Sequence, residues 1–106
     1  MSRTIEITHA TRTAGLNGLD IQEGQAIGLL DGELLSSGEK PDSVIFDLLS
    51  RVNLGDCSIM AIYYGDSTTD TDARQLGLDV QKRYPEIEIE VINGGQPHYN
   101  YIISIE

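Results

Sequence analysis

The sequence predicts an α/β domain of the α+β kind, a mixed sheet with two helices on one face and a β-rich N-terminal meander. Three observations predict it. Residues 3–36 are short alternating or apolar runs separated by Gly, Asn and Asp, the patterning of strands and tight turns. Residues 44–52 and 73–84 repeat apolar side chains three or four apart, the spacing of amphipathic helices. Between and after them lie apolar or strictly alternating runs at 57–64, 86–92 and 99–105, too short for helices and rich in β-branched residues.

Taken in order, Arg3 to Thr11 alternates, with Ile5, Ile7 and His9 on one side and Thr4, Glu6 and Thr8 on the other, as a half-buried strand does. GLNGLD follows as a corner, and Leu19 to Ile21 is a short extended piece ending at QEGQ. Ala26 to Leu30 and Glu33 to Ser36 flank Asp31-Gly32, a hairpin signal. Pro41 suits a first helical turn, where its missing N–H is no loss. Val44, Ile45, Leu48, Leu49 and Val52 then form one apolar stripe ending near Asn53 and Gly55. Cys57 to Tyr64 reads as an interior strand covered on both faces. Ala73, Leu76, Val80 and Tyr84 make a second helix that Pro85 stops. From Glu86 to Ile92, glutamates at 86, 88 and 90 alternate with Ile87, Ile89 and Val91. This strand–helix–strand unit predicts a right-handed parallel crossover. The last run, Tyr99 to Ile105, can return antiparallel from it through the Gly94-Gly95-Gln96-Pro97 corner.

The chain has 106 residues, one domain's worth, with 17 Asp and Glu against 7 Lys and Arg and a formal net charge of -10. Such a field repels nucleic-acid phosphates and anionic lipid surfaces. The sole cysteine, Cys57, permits no internal disulfide; in its apolar run it reads as a buried, inert thiol. The N-terminus carries neither a signal core nor a spanning segment, so no membrane insertion and a cytoplasmic, reducing setting are expected. The domain is read as residues 3–106, with Met1 and Ser2 standing outside it.

Residues with the chemistry to form a site are few. GDSTTDTDA gathers Asp66, Asp70 and Asp72, but it lacks the central glycine and distal glutamate of a calcium loop. Ser, Thr and Asp before a helix serve as N-caps, and first-turn acids complement the helix dipole. No metal site is therefore assigned. His9 and His98 stand far apart, with no Ser, Cys or carboxylate placed to complete a triad; His9 reads as a half-buried structural residue. No glycine lies in a phosphate-binding frame, and no catalytic residue is assigned. Gly94 and Gly95 permit unusual backbone angles and Pro97 stiffens the exit. Gln96, Pro97, His98 and Tyr99 thus sit on a rigid corner suited to contacting another protein, or merely to setting the register of the last strand.

Four segments together resemble one known module: THATRTAGLNGLDIQEGQAIGLLDGELLSSGE, IMAIYYGD, KRYPEIEIEVINGGQP and the terminal GGQPHYNYIISIE. The module is the C-terminal domain of the dihydroxyacetone-kinase-like proteins, the A subunit of bacterial fatty acid kinase. The resemblance runs from Arg3 to Glu106, and Asn100 departs from it where the pattern leads one to expect proline. It implies a multidomain cytoplasmic phosphotransferase whose upstream nucleotide-binding domain holds Mg-ATP. It also implies a DegV-like fatty-acid-binding partner, whose bound acyl carboxylate becomes an acyl phosphate. No cofactor is assigned to this chain, and the role implied for it is docking. The competing reading is an autonomous small-ligand-binding α/β domain. Its site would lie at the carboxyl ends of the parallel strands, near Tyr64, Asp66, Asn93 and Gln96.

Overall fold

The computed structural model describes residues 2–106; Met1, read above as standing outside the domain, lies outside the described residues. The chain folds as β1 (Arg3–His9), β2 (Ala14–Leu16), β3 (Leu19–Ile21), β4 (Ala26–Leu30), β5 (Glu33–Gly38), α1 (Pro41–Ser50), β6 (Ile59–Tyr64), α2 (Asp70–Arg83), β7 (Glu88–Asn93) and β8 (Tyr99–Ile105). Six strands form one mixed sheet in the order β5-β4-β1-β8-β6-β7, and β2 and β3 form a separate ribbon.

Alternation sorts the sheet into two faces. Ile5 and Ile7 of β1, Met60 and Ile62 of β6, and Tyr101, Ile103 and Ile105 of β8 are buried on one face. There α1 lays down Val44, Ile45, Leu48 and Leu49, and α2 lays down Ala73, Leu76 and Val80, to close a single core cluster. The apolar stripes predicted for both helices are the ones that pack. Pro41 opens α1, and Gly77 lets α2 lie against β7, since a Cβ there would stand 2.5 Å from Val91 Cγ2.

The two-residue turns are as their sequences require. Asp31 and Gly32, joining β4 to β5, both take positive φ, as the mirror-image hairpin turns demand. Asn17 and Gly18 do the same between β2 and β3, so GLNGLD is a hairpin, not a mere corner. The meander is correspondingly interrupted: β1 pairs with β4, and β4 with β5, while the β2–β3 ribbon is an excursion between them.

The predicted crossover is present, with β6 and β7 parallel and Ile59 opposite Glu88. Other expectations are refined or changed. β8 returns antiparallel as expected, and in doing so it passes β6 to pair with both β6 and β1. β8 takes a central place in the order, and the glutamate-bearing β7 takes the edge, where charges blunt unwanted pairing. β6 is not covered on both faces. Ile59, Ala61 and Tyr63 are only half-buried on the side without helices. His9, expected to be half-buried, is exposed at the end of β1, and Cys57 is partly buried with its thiol directed to the Ile59 carbonyl oxygen at 3.5 Å.

Candidate functional site: the corner across the end of β6

Because β8 lies on the far side of β6 from β7, the chain between them must step over the carboxyl end of β6. Residues 94–98 make that step, and backbone groups fasten it. The Gly94 and Gly95 N–H groups both donate to the Tyr64 carbonyl oxygen, at 3.0 and 3.1 Å. The Asp66 N–H donates to the Gln96 carbonyl oxygen at 3.0 Å, and the Gly65 N–H to that of Asn100 at 2.9 Å. The Gln96 side chain turns inward, its Nε2 donating to the Tyr63 carbonyl oxygen at 3.0 Å and the Tyr99 carbonyl oxygen at 3.4 Å. Gly65 is where the two segments cross: a Cβ there would collide with the Tyr99 carbonyl oxygen and lie 2.7 Å from that of Gln96. Only glycine admits so close an approach.

The tip of the corner is a three-residue turn. The Tyr99 N–H donates to the Pro97 carbonyl oxygen at 2.8 Å, with His98 between them at φ 70°. A non-glycine residue there is strained, and such turns persist only where surroundings fix them. The Thr8 hydroxyl supplies one fixing contact, donating to the His98 carbonyl oxygen. Pro97 and His98 are exposed, while Gln96 and Tyr99 are half-buried. A register shift in β1 between Ile7 and Thr8 places Tyr101 opposite Ile7 and Tyr99 opposite Thr8. The four sequence-predicted residues therefore share one rigid loop, divided into two that face solvent and two that hold the loop down.

The acidic stretch before α2 is a cap with an added brace. Thr69 is the N-cap, its hydroxyl accepting from the Asp72 N–H at 3.1 Å. Asp70 takes the Tyr64 hydroxyl on Oδ1 and Arg74 Nε on Oδ2, both at 2.8 Å. Those partners, Arg74 first and then Tyr64, hold its carboxyl below the usual range. The same bond raises the Tyr64 phenol. Among the described residues no group of three or more His, Cys, Asp or Glu is placed to hold a metal ion. Of the four residues proposed for a ligand site at the strand ends, Tyr64 is engaged on Asp70 and Gln96 on the backbone of β6, while Asp66 and Asn93 are exposed. The cleft at that end of the molecule lies instead between the starts of the two helices, where Lys40, Asp42, Asp72, Gln75, Asn100 and Tyr101 line a cavity of 390 Å³. Sequence spacing carried no sign of it, since those residues are drawn from three regions of the chain.

The fold and the corner together define a two-layer α+β domain with an open sheet face and a fixed loop over one strand end. The family model for the C-terminal domain of fatty acid kinase A-subunit-like (FakA-like) proteins matches residues 1–106. The chain belongs to that family. It is similar to Protein YloV of Bacillus subtilis (strain 168), 36% identical over 101 residues, covering 95% of this chain and 18% of the relative. It is 31% identical over 100 residues to Uncharacterized protein SH1689 of Staphylococcus haemolyticus, and 27% identical over 100 residues to Uncharacterized protein SAR1202 of Staphylococcus aureus, in each case across 94% of this chain and 18% of the relative. The chain thus spans about 18% of the length of the curated relatives it matches. No helix among the described residues is long and apolar enough to cross a membrane.

Proposed function

We propose that residues 3–106 act as the docking domain of a cytoplasmic fatty-acid-kinase-type phosphotransferase. The domain receives a DegV-like fatty-acid-binding protein, and the upstream kinase domains, holding Mg-ATP, phosphorylate the carboxylate of the lipid that protein carries. The observation that carries this reading is the corner. Four backbone hydrogen bonds and the Gln96 amide pin residues 94–100 to the end of β6 and the loop beyond it, while Pro97 and His98 face solvent. A loop already held in one shape loses little entropy when a partner closes on it. Family membership supplies the kinase context, and this chain's part in it is to bind rather than to react.

The test is partner binding by the intact kinase subunit, using a fatty-acid-loaded DegV-like protein. Pro97→Ala, His98→Ala and Tyr99→Ala are compared at matched melting temperature. At least one is expected to weaken binding roughly tenfold, about 1.4 kcal/mol. If all three bind like the parent, the corner is only a turn. Incubated alone with Mg-ATP and the loaded partner, the 106-residue chain is expected to make no acyl phosphate.

A further inference from the structure

Away from the corner, the outer edge of β7 offers both a backbone ladder and a groove. β7 ends the sheet order, with β6 as its strand neighbour. The Glu88 N–H donates to the Ser58 carbonyl oxygen and the Gly94 N–H to that of Tyr64, at 3.0 Å each. Even-numbered residues of this parallel ladder thus turn their backbone groups toward β6. Those of Ile89 and Val91 point outward and meet no hydrogen-bond partner among the described residues. Beside them, α2 and β7 bound a groove of 370 Å³ lined by Arg74, Gly77, Leu78, Gln81, Ile89 and Val91. Its polar walls are already engaged: Arg74 Nε on Asp70, and the Gln81 amide on the Tyr84 and Ile87 carbonyl oxygens. Its apolar surface is not. Ile89 and Val91 are half-buried, and Leu78 is 63% exposed.

An extended segment laid along this edge gains main-chain hydrogen bonds, and its alternate side chains read the two sides of β7. On the α2 side they enter the groove against Leu78, Ile89 and Val91, where apolar residues fit. On the helix-free side they come beside Glu88 and Glu90, both exposed and in no ion pair among the described residues. Opposite charge is favoured there and like charge is not. The glutamates that deter unselective pairing therefore also choose the strand that can pair. A second copy of this chain does not qualify. It would set glutamate beside glutamate on molecules of net charge -10, and no two of its 7 lysines and arginines stand two residues apart.

We propose that the β7 edge is a strand-addition site for an extended segment of a second protein in which apolar residues alternate with lysine or arginine. Antiparallel addition gives the more stable ladder and sets Ile89 and Val91 opposite residues on their own face. The N–H groups of the added strand's apolar residues are then the ones that face β7. The site does not rest on the docking role proposed for the corner.

The probe is a capped seven-residue peptide alternating lysine and valine, added to the isotope-labelled 106-residue chain at low ionic strength. Amide hydrogen exchange is followed by nuclear magnetic resonance. The Ile89 and Val91 amides are expected to slow saturably by roughly tenfold or more, while the Glu88 amide, already bonded to β6, serves as the reference. A peptide with glutamate in place of lysine, and one with the lysines and valines in separate blocks, should each bind at least roughly tenfold more weakly. N-methylation of the valines should abolish binding, and N-methylation of the lysines should leave it. Leu78→Glu should weaken binding by roughly tenfold in a chain whose remaining spectrum is unchanged. Unslowed exchange at Ile89 and Val91, an equal response to the blocked peptide, or binding that survives methylated valines overturns the site. Protection that appears without peptide and grows with protein concentration makes the occupant a second copy and overturns the proposal. Protection already present without peptide in the intact kinase subunit makes the occupant the subunit's own chain, and overturns the assignment to a second protein.

Discussion

Gly65→Ala puts the crossing of the corner over β6 to a quantitative test. The added methyl would be driven into the Tyr99 carbonyl oxygen and within 2.7 Å of the Gln96 carbonyl oxygen. Both are backbone atoms, held by the pairing of β8 and by the corner's own hydrogen bonds, so neither can swing aside as a side chain does. Relief requires the corner to lift. That overpacking costs about 1–3 kcal/mol, and lifting strains or breaks the Gly65-to-Asn100 and Asp66-to-Gln96 bonds, at about 1 kcal/mol each. The sum is about 3–5 kcal/mol, a large part of the about 5–15 kcal/mol that holds a domain together. Gly94→Ala is the matched control. Its methyl meets chiefly the Gln96 Oε1, the end of a flexible side chain, and should cost only about 1–2 kcal/mol through the lost amide contacts. Urea unfolding followed by circular dichroism reads both, and the Gly65 variant's midpoint is expected to fall by roughly 2 M. A Gly65→Ala midpoint no lower than that of Gly94→Ala would refute the reasoning, because it would mean the corner yields without resistance.

Four further outcomes are expected. Thr69→Ala removes the N-cap of α2 and should lower stability by about 0.5–2 kcal/mol in a thermal melt, with calcium and magnesium titrations silent before and after. Gln96→Ala leaves two backbone carbonyls without their amide donor and should cost about 1–3 kcal/mol, so any loss of partner binding must be read against a lowered melting temperature. His98→Gly relieves a positive-φ strain and should hold or raise the melting temperature; if the imidazole contacts the partner, binding falls in the same variant. The carboxylates divide by sign. Asp31, under the Thr4 N–H and then Arg3, and Asp70, under Arg74 and then Tyr64, have lowered folded values. They stabilise above the unfolded carboxyl value and cease to as pH falls through the folded one. Asp42 is raised, so its charge opposes folding above the folded value and the penalty is gone below the unfolded one. Asp42→Asn should therefore raise the melting temperature at about pH 7 and leave it unchanged in strong acid, whereas Asp70→Asn should lower it near neutrality only.

The helices and most strands are legible because each is governed by a local period. Val44 to Leu49 and Ala73 to Val80 repeat at helical spacing, Glu86 to Ile92 alternates, and the helical stripes bury as their spacing requires. The placement of β8 is not legible. Its antiparallel direction follows from a short connection, but whether it settles beside β7 or beyond β6 depends on which edge each strand can tolerate, a property of the whole sheet. Asn17-Gly18 carries a hairpin signal as strong as Asp31-Gly32, yet it reads as a corner because its flanking strands are only 3 residues long. At the candidate site, the rigidity of residues 94–98 can be read from Gly, Gly and Pro. The inward turn of Gln96 and the Thr8 contact cannot, since they join groups 33 and 90 residues apart. The crossing at Gly65 and the acidic cleft are hidden for the same reason.

The position of β8 has a consequence for how the domain comes into being on the ribosome. The strands β5, β4 and β1 form one half of the sheet, and β6 and β7 the other; β8 alone is hydrogen-bonded to both. Thr8 meets the backbone of a residue 90 positions later. During translation the two halves, each with its helix, emerge in turn and wait with open edges. Ile5 and Ile7 on one side and Met60 and Ile62 on the other lack their neighbours until residues 99–105 are delivered. Completion of the sheet is therefore the last event of the domain's synthesis. A nascent chain stalled or cut before Tyr99 would expose two sticky half-sheets, natural prey for chaperones and proteases.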